Sequence, residues 1–394
     1  MNLPCESIEL FGETKEEMSL RGRGHPGGSM GSGFEPRVSV VTPAFNDGPY
    51  LAECIESVLA QTYQNWDYTI VDNCSTDESV EIARRYAERD SRIRFQQNNQ
   101  FLRAICNHNA ALRQISSESK YCKVVFADDW IFPNCLEQMV ALAEAHPSVG
   151  VVGAYALDGD KVAWAGLPYP STVVCGREIC RRHLLDRLYV FGTANCVLYR
   201  SDLVRSRDPF YNEANIHADT EICFTLFAAC DFGFVHQILS FTRQRQGSLS
   251  TITKDLQTDL ACTLQLLTVH GPVYLTHDER DSRLAEHLSE YYGYLGKSLI
   301  LGRNKQFWEY HRRELTKAGV GFSRTRVVRG TLETLCDAAL NPKNTVQRFL
   351  RSRHSRPLTA HRNVPVKSAS DAHEAIDELD LEREMVLRGK LRIR

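Results

Sequence analysis

The chain has no strong excess of charge of either sign, no long uninterrupted apolar run and no clustered cysteines. Each absence closes off a class of function. A formal net charge of −2 gives no global attraction to nucleic acid or acidic membranes, so any such binding must come from a local patch. No nucleic-acid partner is expected. Residues 1–20 lack an apolar run behind a basic start, so no secretory signal is expected. The best transmembrane candidate, Ile222 to Phe241, carries Asp231, His236 and Gln237 and reads instead as a buried helix followed by a strand. The 13 cysteines are scattered through apolar stretches such as Asn195-Cys196-Val197, and even the nearest pair, Cys175 with Cys180, lacks zinc-like spacing. They read as reduced packing residues of a cytosolic protein.

What is present is a chain of 394 residues with 43% hydrophobic content, enough for a full α/β core and a second element. Residues 1–36, with Arg21-Gly22-Arg23-Gly24, are too poor in apolar side chains to fold alone and are expected to be a flexible leader. Order is expected from Val38-Ser39-Val40-Val41-Thr42, a strand by its β-branched content. Asn46-Asp47-Gly48-Pro49 then turns the chain into a helix whose Leu51, Cys54, Ile55, Val58 and Leu59 share a face. Tyr68 to Val71 is a second strand, and Ser75 with Glu78 has capping-box spacing for a second helix. Ile93 to Phe95 is a third strand, followed by a helix over 104–115 on which His108 is a packed residue. Further strands are expected at Lys123 and over Val149 to Tyr155, with a helix opened by Pro133 between them. This alternation predicts a doubly wound, mostly parallel sheet with right-handed crossovers, ending near residue 255. Residues 256–356 read as a helical extension with a basic end, and 357–394 as a charged, poorly ordered tail. The basic stretch 324–356 suits peripheral contact with an acidic membrane surface, or simply forms a solvated helical face.

The stretch Lys123-Val124-Val125-Phe126-Ala127-Asp128-Asp129-Trp130 carries the chemistry. Adjacent carboxylates after a buried strand either cap the next turn or form a hard-oxygen site for Mg2+ or Mn2+.

Several segments taken together resemble the family-2 glycosyltransferases, which have the GT-A fold. These are Val38 to Asn46, Ser57 to Tyr63, Val71 to Asp77, Ala127-Asp128-Asp129, and Ala218-Asp219 before a helix, in that order. The resemblance covers roughly residues 37–250, with the domain expected over 37–255. It implies inverting transfer of a sugar from a nucleotide-diphosphate donor to a hydroxyl of a glycan or lipid-linked saccharide acceptor. By the same resemblance, Pro43, Ala44, Phe45, Asn46, Asp72 and Asn73 hold the nucleoside, Arg103 contacts the pyrophosphate, and Arg243 and Arg245 stand near the leaving group. Asp128 and Asp129 would hold a divalent cation, Mn2+ or Mg2+, on the diphosphate, and Asp219 would be the general base. Gly192 to Asn195 would line the donor-sugar and acceptor side, while Trp130 and Trp164 are expected to be buried. A cytoplasmic location, including the inner face of the membrane, follows from the same reading.

The chain departs from the family at Asn73, Phe126, Ala218 and Arg245, where relatives often have Asp, a further acid, Glu and His. These departures motivate an alternative, a non-catalytic glycan- or nucleotide-binding relative acting in a biosynthetic complex. A nucleotidyltransferase would need a glycine-rich basic loop after the first strand, and Thr42 to Asp47 is not one.

Overall fold

Seven consecutive residues without a charge, Val38-Ser39-Val40-Val41-Thr42-Pro43-Ala44, form a strand buried along its whole length, as a parallel sheet covered on both faces requires. The computed structural model describes residues 35–245 and 249–340. All but the last two residues of the expected leader lie outside these, as do Gly247 and Ser248, the basic residues Arg348, Arg351, Arg353 and Arg356, and the tail from 357.

The strands are β1 (Val38–Ala44), β2 (Trp66–Asp72), β3 (Ile93–Gln97), β4 (Tyr121–Val124), β5 (Trp130–Ile131), β6 (Val149–Asp158), β7 (Lys161–Ala163), β8 (Val173–Val174), β9 (Val197–Arg200) and β10 (Asp231–Thr242). They join in one sheet of order β3-β2-β1-β4-β9-β6-β10-β5, with β7 on β6 and β8 on β10. The block β3-β2-β1-β4 is parallel, and so is the pair β6 and β10. Between them β9 runs antiparallel to both neighbours. The expected mostly parallel sheet is therefore present, joined through one reversed strand that is entered from a loop instead of a crossover helix.

Alternation along β1 sends Val40 to one side of the sheet and Val41 to the other, and each side has its own core. On the Val40 side lie α1 (Gly48–Leu59), α2 (Ser79–Arg89) and, after α3 (Ala104–Leu112), α4 (Cys135–Ala145). On the Val41 side lie α3 and then α5 (Gly176–Asp186), α6 (Ser201–Arg205) and α7 (Ala218–Leu226). The expected capping box does not form. Helix α2 begins at Ser79, and the Ser75 hydroxyl instead accepts from the backbone N–H of Asn46 at 2.9 Å. Helix α3 is shorter than the expected 104–115, and His108 stacks on Phe126 with ring centroids 5.1 Å apart. The described cysteines are free thiols, most of them buried.

From Leu249 to Leu340 every regular element is helical: α8 (Leu249–Leu256), α9 (Asp259–Gln265), a π turn (Leu266–His270) into α10 (Gly271–Tyr274), α11 (His277–Ile300), α12 (Lys305–Lys317) and α13 (Arg324–Leu340). Thr276 starts α11 with a reciprocal capping box to Glu279. Leu266, Leu267, Tyr274 and Leu275 join the core beneath α5 and α7, which seats the extension on the sheet domain. Its own core is built on Tyr291, Leu295, Phe307 and Leu315. Helices α11 and α13 meet backbone to backbone, because a Cβ added at Gly296 would lie 2.4 Å from Gly330. Among the described residues no helix is long and apolar enough to cross a membrane.

Candidate functional site

Strands β1, β2 and β4 all run the same way, so the segments leaving their C-terminal ends converge on one edge, where a doubly wound sheet opens its crevice. Phe45 and Asn46 follow β1, Asp72 and Asn73 end β2, and Asp128 and Asp129 follow β4. Arg243 and Arg245 reach the same place from the end of β10.

Asp129 is buried, and its Oδ1 accepts from the backbone N–H of Arg243 at 2.8 Å. Burial, and then the charge of Asp128, push its carboxyl well above the usual carboxylate range. The Arg243 side chain donates through Nε to the Asp128 carbonyl at 3.0 Å, pairs with Glu53, and lies 4.8 Å from the centre of the Tyr50 ring. Arg245 approaches Asp128 Oδ2 at 2.6 Å and Asp47 Oδ1 at 2.9 Å. Asp47 is itself buried, and desolvation pushes its pKa up to about 6 against the pull of Arg245. The two predicted carboxylates and two predicted arginines therefore form one cluster. Asp47, Tyr50 and Glu53 complete it and were not read from the sequence. Tyr50 and Glu53 sit three apart on α1, a spacing that puts them on one face, but nothing local pairs them with Arg243.

The loops that follow β1 and β2 are tied to one another by hydrogen bonds. Asn46 adopts φ 52° and its Oδ1 accepts from Thr76 N at 2.8 Å. The rings of Phe45 and Phe101, both exposed, stand 4.9 Å apart. Asp72 accepts through Oδ2 from Ser75 N and Gln97 Nε2, each at 3.0 Å, while its buried Oδ1 has no partner among the described residues. Asn73 is tied into the loop after β3. Nδ2 donates to Leu102 O at 2.7 Å, and Oδ1 accepts from Leu102 N at 2.9 Å and Asn98 Nδ2 at 3.0 Å. The amide thus helps to hold the loop that precedes α3. Arg103, directly before that helix, is half-buried.

On the other side of β4, the buried Lys123 ammonium donates to the carbonyls of Asn195 and Val197, the latter at 3.1 Å. It pins the short turn Ala194–Cys196, and Gly192 enters that turn with φ 70°. The Tyr189 hydroxyl donates to Gly192 O at 3.1 Å and lies 3.0 Å from Thr220 Oγ1, linking this loop to the start of α7. Asp219 lies in the first turn of α7, where the helix dipole favours a carboxylate, and its Oδ1 accepts from Thr220 N at 2.7 Å. His217 is the N-cap residue, so Asp219 does not hold that position. Burial raises the Asp219 pKa, with the nearby His217 opposing. No bond joins Asp219 to the Asp128–Arg245 cluster among the described residues. Trp130 is half-buried and stacks on Phe241 at 4.9 Å, and Trp164 packs edge-on to Tyr189 at 5.1 Å.

Comparison with known proteins adds an independent line. Residues 39–207 match the model of glycosyl transferase family 2. The chain is 34% identical over 171 residues to the putative glycosyltransferase EpsE of Bacillus subtilis (strain 168), a match covering 42% of this chain and 60% of that one. It is 28% identical over 230 residues to the glycosyltransferase GlyG of Streptococcus pneumoniae serotype 4, covering 56% and 74%. In the crystal structure of S. aureus TarS 1–349 in complex with UDP-GlcNAc, the fold superposes with a TM-score of 0.54 at 18% identity, over 74% of this chain and 85% of that one.

Proposed function

Because residues 39–207 match the model of glycosyl transferase family 2, we propose that the chain is a family-2 glycosyltransferase and transfers a sugar, with inversion, from a nucleotide-diphosphate donor to a hydroxyl of a glycan or lipid-linked saccharide. The observation that carries this reading is the convergence of Asp128, Asp129, Arg243 and Arg245 at the edge where β1 and β2 also end. The base rests between the loops after β1 and β2, where the exposed pair Phe45 and Phe101 offers aromatic faces.

The residues present fit a divalent cation. Arg243 takes one oxygen of Asp129 and Arg245 one of Asp128, which leaves a second oxygen on each carboxylate. Mg2+ and Mn2+ commonly take one or two carboxylates and fill their remaining positions with water and phosphate oxygens. Asp128 and Asp129 would hold that ion, which when bound neutralises charge on the departing nucleoside diphosphate. Arg245 and Arg243 add fixed positive charge at the same place, and Arg103 supplies a guanidinium fork for the pyrophosphate. Asp219 takes the proton of the acceptor hydroxyl as its oxygen attacks the anomeric carbon from the face opposite the leaving group. Its raised pKa brings a carboxylate base closer to neutral pH, where general bases work best. The reaction uses cytoplasmic nucleotide sugar.

Calorimetry of UDP-, GDP- and dTDP-sugars with and without Mn2+, followed by product analysis with saccharide acceptors, tests the reading. Metal-linked binding of one nucleotide class with turnover is expected. Nucleotide binding without turnover on any acceptor would favour the non-catalytic alternative, and the absence of both would sink the assignment.

A further inference from the structure

Asp219 lies in the first turn of α7, a helix of nine residues, where Thr220 N engages one of its oxygens, Oδ1. The residues around it on that turn are each fastened elsewhere. Thr220 Oγ1 lies 3.0 Å from the Tyr189 hydroxyl, and the Glu221 carboxylate accepts from Asn212 at 3.0 Å and Asn215 at 2.7 Å. Those partners all precede α7 in the sheet domain. His217 is tied in the other direction. Its Nε2 lies 2.8 Å from Oγ1 of Thr258, 41 residues further on, where α8 gives way to α9 in the helical extension.

Both ends of that bond are helix N-cap residues, and neither side chain caps its own helix. Serine, threonine, aspartate and asparagine serve an N-cap best, and histidine is not among them. At 217 the side chain is mostly buried, 17% exposed, and is spent on the extension. Thr258 is of a type that caps well, yet its fully buried hydroxyl goes to His217 and not to α9. The chain also bends to deliver it, because Gln257, directly before, adopts φ 54°, in the left-handed region that residues other than glycine rarely enter. Two forgone caps and one strained residue are costs that a plain connection between α8 and α9 would not carry. The bond they sustain joins the start of α9 to the start of the helix that bears Asp219.

We propose that His217 is a positioning residue: through Thr258 it fixes the first turn of α7 against the helical extension, and so holds the Asp219 carboxylate where it takes the acceptor's proton. The extension is thereby a working part of the active site. The inference rests on Asp219 being the base.

Steady-state release of nucleoside diphosphate from UDP-, GDP- and dTDP-sugars by the full chain, with saccharides or water as acceptor, tests it beside calorimetry of the same donors. His217→Ala should lower kcat about tenfold or more, since a small misplacement of a reacting group is costly in rate, while donor KM and affinity stay within about twofold. His217→Gln, whose amide offers the Thr258 hydroxyl a donor or an acceptor, should recover most of the loss. Thr258→Val should lower kcat in the same direction, and His217→Ala/Thr258→Val should be no slower than His217→Ala alone, because both changes remove one interaction. Should His217→Ala fail to melt cooperatively, the glutamine and valine variants carry the test. Full kcat in the single variants, a glutamine variant as slow as the alanine one, losses that add in the double variant, or a fall in donor affinity matching the fall in kcat would each overturn the proposal. Asp219→Asn separates the two readings. If it is inactive while His217→Ala is unimpaired, the base stands and the positioning role fails; if it turns over normally, or the unaltered chain turns over no donor, both fall together.

Discussion

The side chain of Asn73 and the backbone of Leu102 exchange two hydrogen bonds, Nδ2 to O at 2.7 Å and N to Oδ1 at 2.9 Å. An amide matches this pair because it offers a donor and an acceptor side by side, and a carboxylate would not. In Asn73→Asp the Leu102 N–H keeps its acceptor, but the carbonyl faces a second oxygen. A stability loss of about 1–3 kcal/mol is expected, with weaker binding of UDP, GDP and dTDP sugars in similar proportion. Denaturant melts and calorimetry check this. Selective loss of one base would mean that Asn73 touches the nucleotide.

Asp129→Asn and Asp219→Asn should each abolish transfer for different reasons. The first should also remove metal-linked donor binding, while the second should leave donor binding intact. Neither change should unfold the protein, because both carboxyls are held above their ordinary range by burial and the amide relieves that cost. Calorimetry beside a product assay separates the two, and normal turnover by both variants would end the assignment of roles.

The titration of Asp47 gives the stability of the ligand-free protein a pH dependence. Its pKa rises from 3.8 to about 6 on folding, so between those values the folded state binds more protons than the unfolded chain. The contribution of this group to stability is therefore most favourable below pH 3.8 and falls as pH rises to about 6. By linkage the change is on the order of 3 kcal/mol. Asp47→Asn should flatten that part of the profile, as read from urea midpoints across the range.

Lys123→Met replaces a buried ammonium by an apolar chain of similar length and leaves the carbonyls of Asn195 and Val197 without their donor. Burial already lowers the lysine pKa, so removing the charge is not the dominant loss. Two unsatisfied carbonyls are, at about 1–3 kcal/mol each. A lower melting temperature is expected, with reduced turnover because the turn over Ala194–Cys196 is released. Turnover unchanged alongside the lower melting temperature would confine Lys123 to the core.

Much of this was legible in the residues. The runs that became β1, β2 and β6 are rich in β-branched or small apolar residues and could only be strands, and Leu51, Cys54, Ile55 and Val58 face the sheet at the expected spacing. Strand β9 is four residues long and fed by a loop, so its reversed direction had no local signature. At the site, the types of Asp128, Asp129, Arg243 and Arg245 were readable, but Arg245 meets Asp47 across 198 residues of chain. Ser75 and Glu78 had the right spacing for a cap, and tertiary structure put the hydroxyl to another use. Asn73 was visible as a position, whereas its bonds depend on where Leu102 comes to rest.

The crossing of Gly296 and Gly330 sets more than a distance. A Cβ on Gly330 would stand 2.5 Å from Tyr292 O, so with glycines there α13 lies flush on its neighbour and is keyed in rotation as well as in spacing. That rotational setting decides which residues of α13 look outward. A methyl group at either position would act as a shim, lifting the helix and turning its exposed Val328, Leu332 and Leu335 to a new bearing. The exposed face of α13 is thus aimed by two residues that contribute no side chain to it.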